Sequence, residues 1–308
     1  MKKLTVPETA KGKRLDRFLT EQTPEKSRSW WQKELKAQRV FVDGKVAIPH
    51  LALKGGEGIT FEKAPKIKKL APPSLDIMHE EDDFLIINKP PGLLVHPTDT
   101  STEPTLVDAL IAYNKKIASV GDPLRPGIVH RLDRPVSGVM VIAKTPLMFD
   151  HLRNQFTTRE MHKEYVALVF GIIKKDIGEI NFPIGRSKKD GRMAARPEDE
   201  EGKPAKTEFE VVKRFSNSTL LHVTPETGRT HQIRAHLFAY DHPIVGDPVY
   251  RPRARRHRGT GPEYLGKALI PRIMLHAEKL TFTDLQGKMH HYESPLPEDF
   301  AQVLNQLK

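Results

Sequence analysis

The chain has 308 residues, 50 Lys and Arg against 39 Asp and Glu, a formal net charge of +11 and no cysteine. That length suggests about two domains, and the absent cysteine excludes disulfide scaffolds, thiolate zinc sites and cysteine nucleophiles, in keeping with a cytoplasmic protein. No apolar run reaches transmembrane length, the basic start lacks the apolar stretch of a secretory signal, and the positive charge suits a polyanionic partner as well as a merely basic soluble protein.

Leu15, Phe18 and Leu19 stand at helical spacing, and Ser27 or Ser29 can cap a second helix over 30–38. Val40 and Val42 then alternate in a short strand. Asp43-Gly44 turns the chain into a second strand through Val46 and Ile48, and Gly58–Phe61 closes the module. A small αα-β domain over 1–62 is predicted. Residues 63–73, rich in proline and lysine, read as a linker.

A second domain is expected over 74–308. FLIIN (84–88) and GVMVIA (138–143) are buried strands by their apolar runs. Thr105–Tyr113 and Thr145–Thr157 are helices, the latter with Leu147, Leu152 and Phe156 as its apolar residues. Tyr165–Phe170, Lys206–Val212, Thr219–Val223 and Lys279–Thr283 read as strands. The fold class is α+β, with a mixed, largely antiparallel central sheet flanked by helices rather than a regular βαβ repeat.

Chemistry concentrates in a few segments. In GIVHRLDRPVSG (127–138) a loop precedes a buried strand, and Asp133 lies between Arg131 and Arg134. It reads either as a nucleophile or base, or as a loop residue in a surface ion pair. In ETGRTHQIRAH (226–236) Arg229, near a helix start, could meet a phosphate or a carboxylate, or simply an exposed partner. His231 and His236 are five apart, not the four that would put two metal ligands on one helical face, so no metal is expected. Tyr165 at a strand start can stack on a base or serve as a core aromatic. Lys89 and His96, in NKPPGLLVHP (88–97), could line a cleft or be structural. Arg186, Lys188, Lys189 and Arg192 form a basic loop which, with the arginine-rich 251–258, could contact phosphates or remain a solvated charge run. P-loop, dinucleotide, HExxH and GxSxG patterns are missing.

Taken in order, INKPPGLLVHP (87–97), GIVHRLDRPVSGVMVIAKT (127–145), KEYVALVFG (163–171), ETGRTHQIRAHL (226–237), HPIVGDPVY (242–250) and LHAEKLTF (275–282) resemble the RluA-type RNA pseudouridine synthases. RLDRFL, SRSWWQKELKAQRVFVDGK and the strand after them resemble the S4 RNA-binding domain. The resemblance implies cofactor-free isomerisation of uridine in structured RNA, large-subunit ribosomal RNA first and tRNA second, by a protein expected to be monomeric. It assigns Asp133 as the catalytic aspartate, Arg229 as its ion-pair partner and Tyr165 as the residue against the target base. Arg131 would help flip that base and Ile233 would pack on it. His130, Arg186 and Arg192 complete the expected substrate contacts. Val136 departs from the Thr or Ser usual in the family, and Glu57 departs from the S4 pattern. A non-catalytic RNA-binding protein and a base-flipping glycosylase are the competing classes, and the intact Asp133, Tyr165 and Arg229 argue against the first.

Overall fold

The computed structural model describes residues 3–24, 26–62, 71–97, 103–187, 190–197, 201–251 and 263–308. They divide between two units, over 3–62 and over 71–308. Most of the predicted linker, Lys188, Lys189 and 252–258 of the arginine-rich segment lie outside the described residues.

The N-terminal unit runs β1 (Lys3–Thr5), α1 (Leu15–Gln22), α2 (Arg28–Lys36), β2 (Val40–Val42), β3 (Lys45–Val46) and β4 (Gly58–Phe61). Its strands lie in the order β1-β4-β2-β3, all antiparallel. Asp43 and Gly44 both take positive φ, 48° and 77°, as a tight two-residue hairpin requires. The Ser27 hydroxyl accepts from the Trp30 N–H and starts α2 two residues earlier than the apolar spacing suggested. Leu15, Phe18, Leu19, Trp31, Leu35, Val40 and Ile59 form this unit's own core. Asp16 is fully buried beneath Arg14, Arg28 and Gln32. Burial pushes its carboxyl pKa up, but hydrogen bonds from these three side chains outweigh it and hold the group far below the usual range.

The second unit runs β5 (Ile77–Glu80), β6 (Phe84–Lys89), α3 (Leu106–Tyr113), β7 (Ser137–Ala143), α4 (Pro146–Thr158), β8 (His162–Phe170), β9 (Ile177–Ile180), β10 (Ile184–Arg186), β11 (Met193–Ala195), β12 (Thr207–Arg214), β13 (Ser218–Pro225), α5 (Gln232–Ala239), β14 (Glu263–Leu265), β15 (Ala268–Ile270), β16 (Leu275–Thr283), β17 (Met289–Glu293) and α6 (Glu298–Asn305). Among the described residues nine strands form one sheet, ordered β5-β6-β7-β16-β8-β13-β12-β9, with β17 also on β16. Every pairing in it is antiparallel except β7 with β16. The sheet is thus mixed and largely antiparallel, as the sequence predicted.

Both faces of the sheet are covered, which is why β6 and β7 read as unbroken apolar runs. Leu85, Ile87, Met140 and Ile142 pack with α3 and α5 residues. Phe84, Ile86, Val139 and Val141 face α4 instead. In α4, Leu147 is 67% exposed, contrary to its expected core role. Thr145 caps the helix and Pro146 opens it, so Leu147 falls on the outer side of the first turn while Met148, Phe149 and Leu152 are buried. No helix among the described residues is long and apolar enough to cross a membrane.

Candidate active site

The loop into β7 is fixed before its chemistry is considered. Leu132 and Val136 are buried on either side of Asp133, and the Asp133 carbonyl accepts the Val136 N–H at 3.0 Å. The Arg134 carbonyl accepts from the Gly92 N–H at 2.8 Å and from Lys89 Nζ at 3.3 Å. Lys89 is fully buried and also donates to the Pro90 and Leu93 carbonyls, at 2.8 and 3.0 Å. An ammonium has three N–H donors, and all three find carbonyls here. Burial pulls the Lys89 pKa down to about 7, and the charge of Asp133 works against that fall.

Asp133 keeps 15% of its side chain exposed, at the wall of a cleft of about 310 Å³. Arg234, on α5, donates to Asp133 Oδ2 at 2.9 Å. The same guanidinium makes a two-pronged pair with fully buried Asp247, Nε to Oδ2 at 2.7 Å and Nη2 to Oδ1 at 2.8 Å. Asp247 is held in turn by the Val249 and Tyr250 N–H groups. Burial alone would lower the Arg234 pKa, but the hydrogen bonds and charges of Asp247 and Asp133 raise it, so it stays cationic.

Tyr165 enters the cleft from β8, paired with Val223 on β13 and Ala277 on β16. Burial, and then the Asp133 charge, push its hydroxyl pKa far up, so it stays protonated. Lys163 also lines the cleft; its ammonium lies 4.5 Å from the centre of the Phe156 ring, and burial lowers its pKa to about 8. His231 stands at the same wall, with Nε2 3.8 Å from Asp133 Oδ2.

The sequence pattern of the RNA pseudouridylate synthases matches residues 83–239, a span that carries both Asp133 and Arg234. The chain belongs to this family. It is 36% identical over 309 residues to the uncharacterised RNA pseudouridine synthase YlyB of Bacillus subtilis, covering 99% of this chain and 97% of that one. It is 40% identical over 313 residues to the ribosomal large subunit pseudouridine synthase D of Nitrosomonas europaea, covering 99% and 87%. Among solved structures, human RNA pseudouridylate synthase domain containing 4 matches with a TM-score of 0.60 and 27% identity, over 75% of this chain and 93% of that one.

In this RNA pseudouridine synthase the cleft brings together Asp133, Tyr165, Ile233, Arg131, His130 and Arg229. One pairing differs from expectation: the cation on Asp133 is Arg234, not Arg229. The helix begins at Gln232, so Arg229 lies in the turn before it, and its Nε donates to the Pro204 carbonyl at 3.2 Å. Gln232 Oε1 fixes that turn by accepting the Arg229 N–H and the Thr227 hydroxyl. His130 is buried, and its Nε2 accepts the Val141 N–H at 3.2 Å, which ties the loop to β7. Burial, with the Lys163 charge second, drops its pKa to about 3. Arg131 is exposed and unpaired among the described residues, at the cleft's edge.

Arg186 and Arg192 do not line the cleft. Arg186 donates to the Gly191 carbonyl, and Arg192 lies over the Phe238 and Tyr250 rings and pairs with Asp190. Of the other two candidates, Lys89 is buried behind the loop and His96 reaches the cleft. His236 has both ring nitrogens engaged, by Thr207 and the Phe182 carbonyl. Glu164, His222 and Glu278 come together elsewhere on the sheet, where Lys279 lies 3.1 Å from Glu164 and 3.8 Å from Glu278. Sequence reasoning missed Arg234, Asp247 and Gln232. The available signals were the turn at Gly246-Asp247-Pro248 and the helical row 231/234/238.

Proposed function

We propose that Asp133 isomerises a uridine flipped out of structured RNA, and that the RNA is large-subunit ribosomal RNA. The supporting observation is the clamp on its carboxylate. Arg234 holds Oδ2 at 2.9 Å and leaves Oδ1 without a hydrogen-bond partner among the described residues, at the wall of an open cleft. A stacked, paired uridine cannot bring its sugar to such a group, so the nucleotide must leave the helix. A cleft of about 310 Å³ suits one nucleoside rather than a duplex.

Within it, Oδ1 can attack C1′ or remove the C2′ proton, and either route breaks the N–C bond with the carboxylate already aimed. Tyr165, protonated, offers an aromatic face and an uncharged donor beside that anion. Ile233 supplies apolar contact for the uracil, and Arg131 at the edge is placed to meet phosphate or to fill the gap left in the stack. The choice of large-subunit RNA follows the name of the Nitrosomonas relative and the net charge of +11. The N-terminal unit is read as an S4-like RNA-binding domain.

The test incubates the enzyme and its Asp133→Asn variant with unmodified large-subunit rRNA and tRNA transcripts, followed by digestion and chromatography of nucleosides. Pseudouridine is expected from rRNA with the intact enzyme only, while RNA binding persists in the variant. Product from the variant would remove Asp133 from the role, and product from tRNA alone would reassign the substrate.

A further inference from the structure

Isomerisation also needs a group that takes a proton from C5 and supplies one to N1. Once the base has detached and C5 has bonded to C1′, C5 carries both the new bond and its original hydrogen. That hydrogen must leave as a proton. Its bonding pair then closes C5=C6, the N1=C6 pair moves onto N1, and N1 takes up a proton. Because C5 is bonded to C1′ at that stage, the required base stands one bond beyond C1′ and two bonds beyond C2′, the two carbons on which Asp133 can act.

We infer that the imidazole of His231 is this base, taking the proton from C5 at Nε2 and returning it to N1. The inference rests on the reading of Asp133 given above. Tyr250 has a single hydroxyl proton and donates it to the Met193 carbonyl at 2.6 Å. His231 Nδ1 lies 3.2 Å from the same phenolic oxygen, so the proton of that contact comes from Nδ1–H. The neutral ring therefore carries its lone pair on Nε2. That atom faces the cleft 3.8 Å from Asp133 Oδ2, beyond hydrogen-bond length, and no described group donates to it.

The backbone supports the assignment. His231 has φ 57°, in the left-handed region, immediately before α5 begins. A side chain held there is strained, and such strain tends to collect where a site needs it. Burial, Arg234 and Arg131 disfavour the imidazolium, whereas Asp133 and Asp247 favour it. The balance lies toward the neutral ring, with Tyr250 uncharged on the other side.

Three other groups at this wall are unsuited to the role, and His96, which also lines the cleft, makes no ion pair with Asp133 among the described residues. Tyr165 stays protonated, His130 Nε2 already accepts a backbone N–H, and Lys163 titrates near 8 and is mostly an ammonium at neutral pH.

The test is single-turnover conversion of rRNA transcripts carrying either hydrogen or deuterium at uridine C5, by wild-type enzyme and by His231→Asn. Asparagine tolerates positive φ and keeps a donor for Tyr250, and thermal unfolding checks that the variant folds. The expected result is a loss of about 10²-fold or more in rate together with a C5 isotope effect larger than in the wild type, because C–H cleavage has become limiting. An unchanged rate, or a slower rate with an unchanged isotope effect, would overturn the assignment. If the asparagine variant does not fold, Tyr250→Phe removes the oxygen that fixes the tautomer. It should slow turnover and raise the isotope effect, and no change in either would likewise overturn it. Wild-type enzyme that makes no pseudouridine would overturn the reading of the whole site, whereas a wild-type reaction with a normal His231→Asn variant would overturn this inference alone.

Discussion

Arg234 divides one guanidinium between Asp133 and Asp247, so three charges share a pocket in which each keeps the others paired. Lysine at this position would keep the charge but not the fork, and could not reach both carboxylates. Arg234→Lys is therefore expected to lower kcat by about 100-fold, the scale of a mispositioned reacting group, with RNA affinity largely kept. Wild-type turnover in this variant would show that Asp133 needs no aiming. Arg234→Ala leaves Asp247 buried beside a second unpaired carboxylate, and denaturant unfolding should show a loss of about 3–5 kcal/mol. His130 gives a separate test through pH. Its imidazole is buried neutral, with a pKa lowered from 6.5 to about 3. The unfolded chain takes up a proton below about 6.5 that the folded one refuses until about 3. Stability at this residue is thus full above pH 6.5 and falls with pH through that window, by at most about 1.4 kcal/mol per unit. In denaturant titrations, His130→Gln should flatten this slope, and an unchanged slope would refute the buried neutral state.

Gly138 sets the distance between β7 and β16 just beyond the Asp133 loop. Its φ is 128°, and a Cβ there would stand 2.1 Å from the Ala277 carbonyl oxygen. Gly138→Ala should cost about 3 kcal/mol or more and shift the loop. Gly287→Ala, at φ 79° with open space around it, should cost only about 1–2 kcal/mol. Equal losses in thermal unfolding would mean that strand approach is not what excludes a side chain at Gly138. At this scale the sequence was legible where burial is two-sided: β6 and β7 stand out because nothing polar interrupts them. It was illegible at the margins. β17 reads MHHYE, with one buried residue in five, and β9, β10 and β11 are three or four residues long. Asp133, Tyr165 and Ile233 were found as motif residues, yet the partner of Asp133 was not. Helical spacing cannot say where a helix starts. Here Gln232 folds back on Thr227 and Arg229, and His231 turns left-handed, so the helix starts three residues after Arg229 and it is Arg234 that meets the aspartate. That meeting also joins residues 101 apart in sequence, which no local pattern reports.

At the level of the whole chain, the excess of 50 basic over 39 acidic residues has to be assigned to surfaces. The cleft lies entirely within residues 71–308, and the core of the N-terminal unit is built from its own residues. On the proposed reading of the N-terminal unit as an RNA-binding domain, truncation should therefore separate chemistry from the affinity that unit adds. Deleting residues 1–62 should leave kcat at saturating RNA near its wild-type value, because no residue of the cleft is removed. KM should rise, because phosphate contacts are lost. The salt dependence distinguishes this from general damage: each lost phosphate contact lowers the slope of log affinity against log salt by about one. A damaged cleft would instead lower kcat and leave that slope in place. If affinity, KM and slope all stay as in the full chain, the N-terminal unit does not hold RNA, and the basic residues that do must be sought in the synthase unit itself.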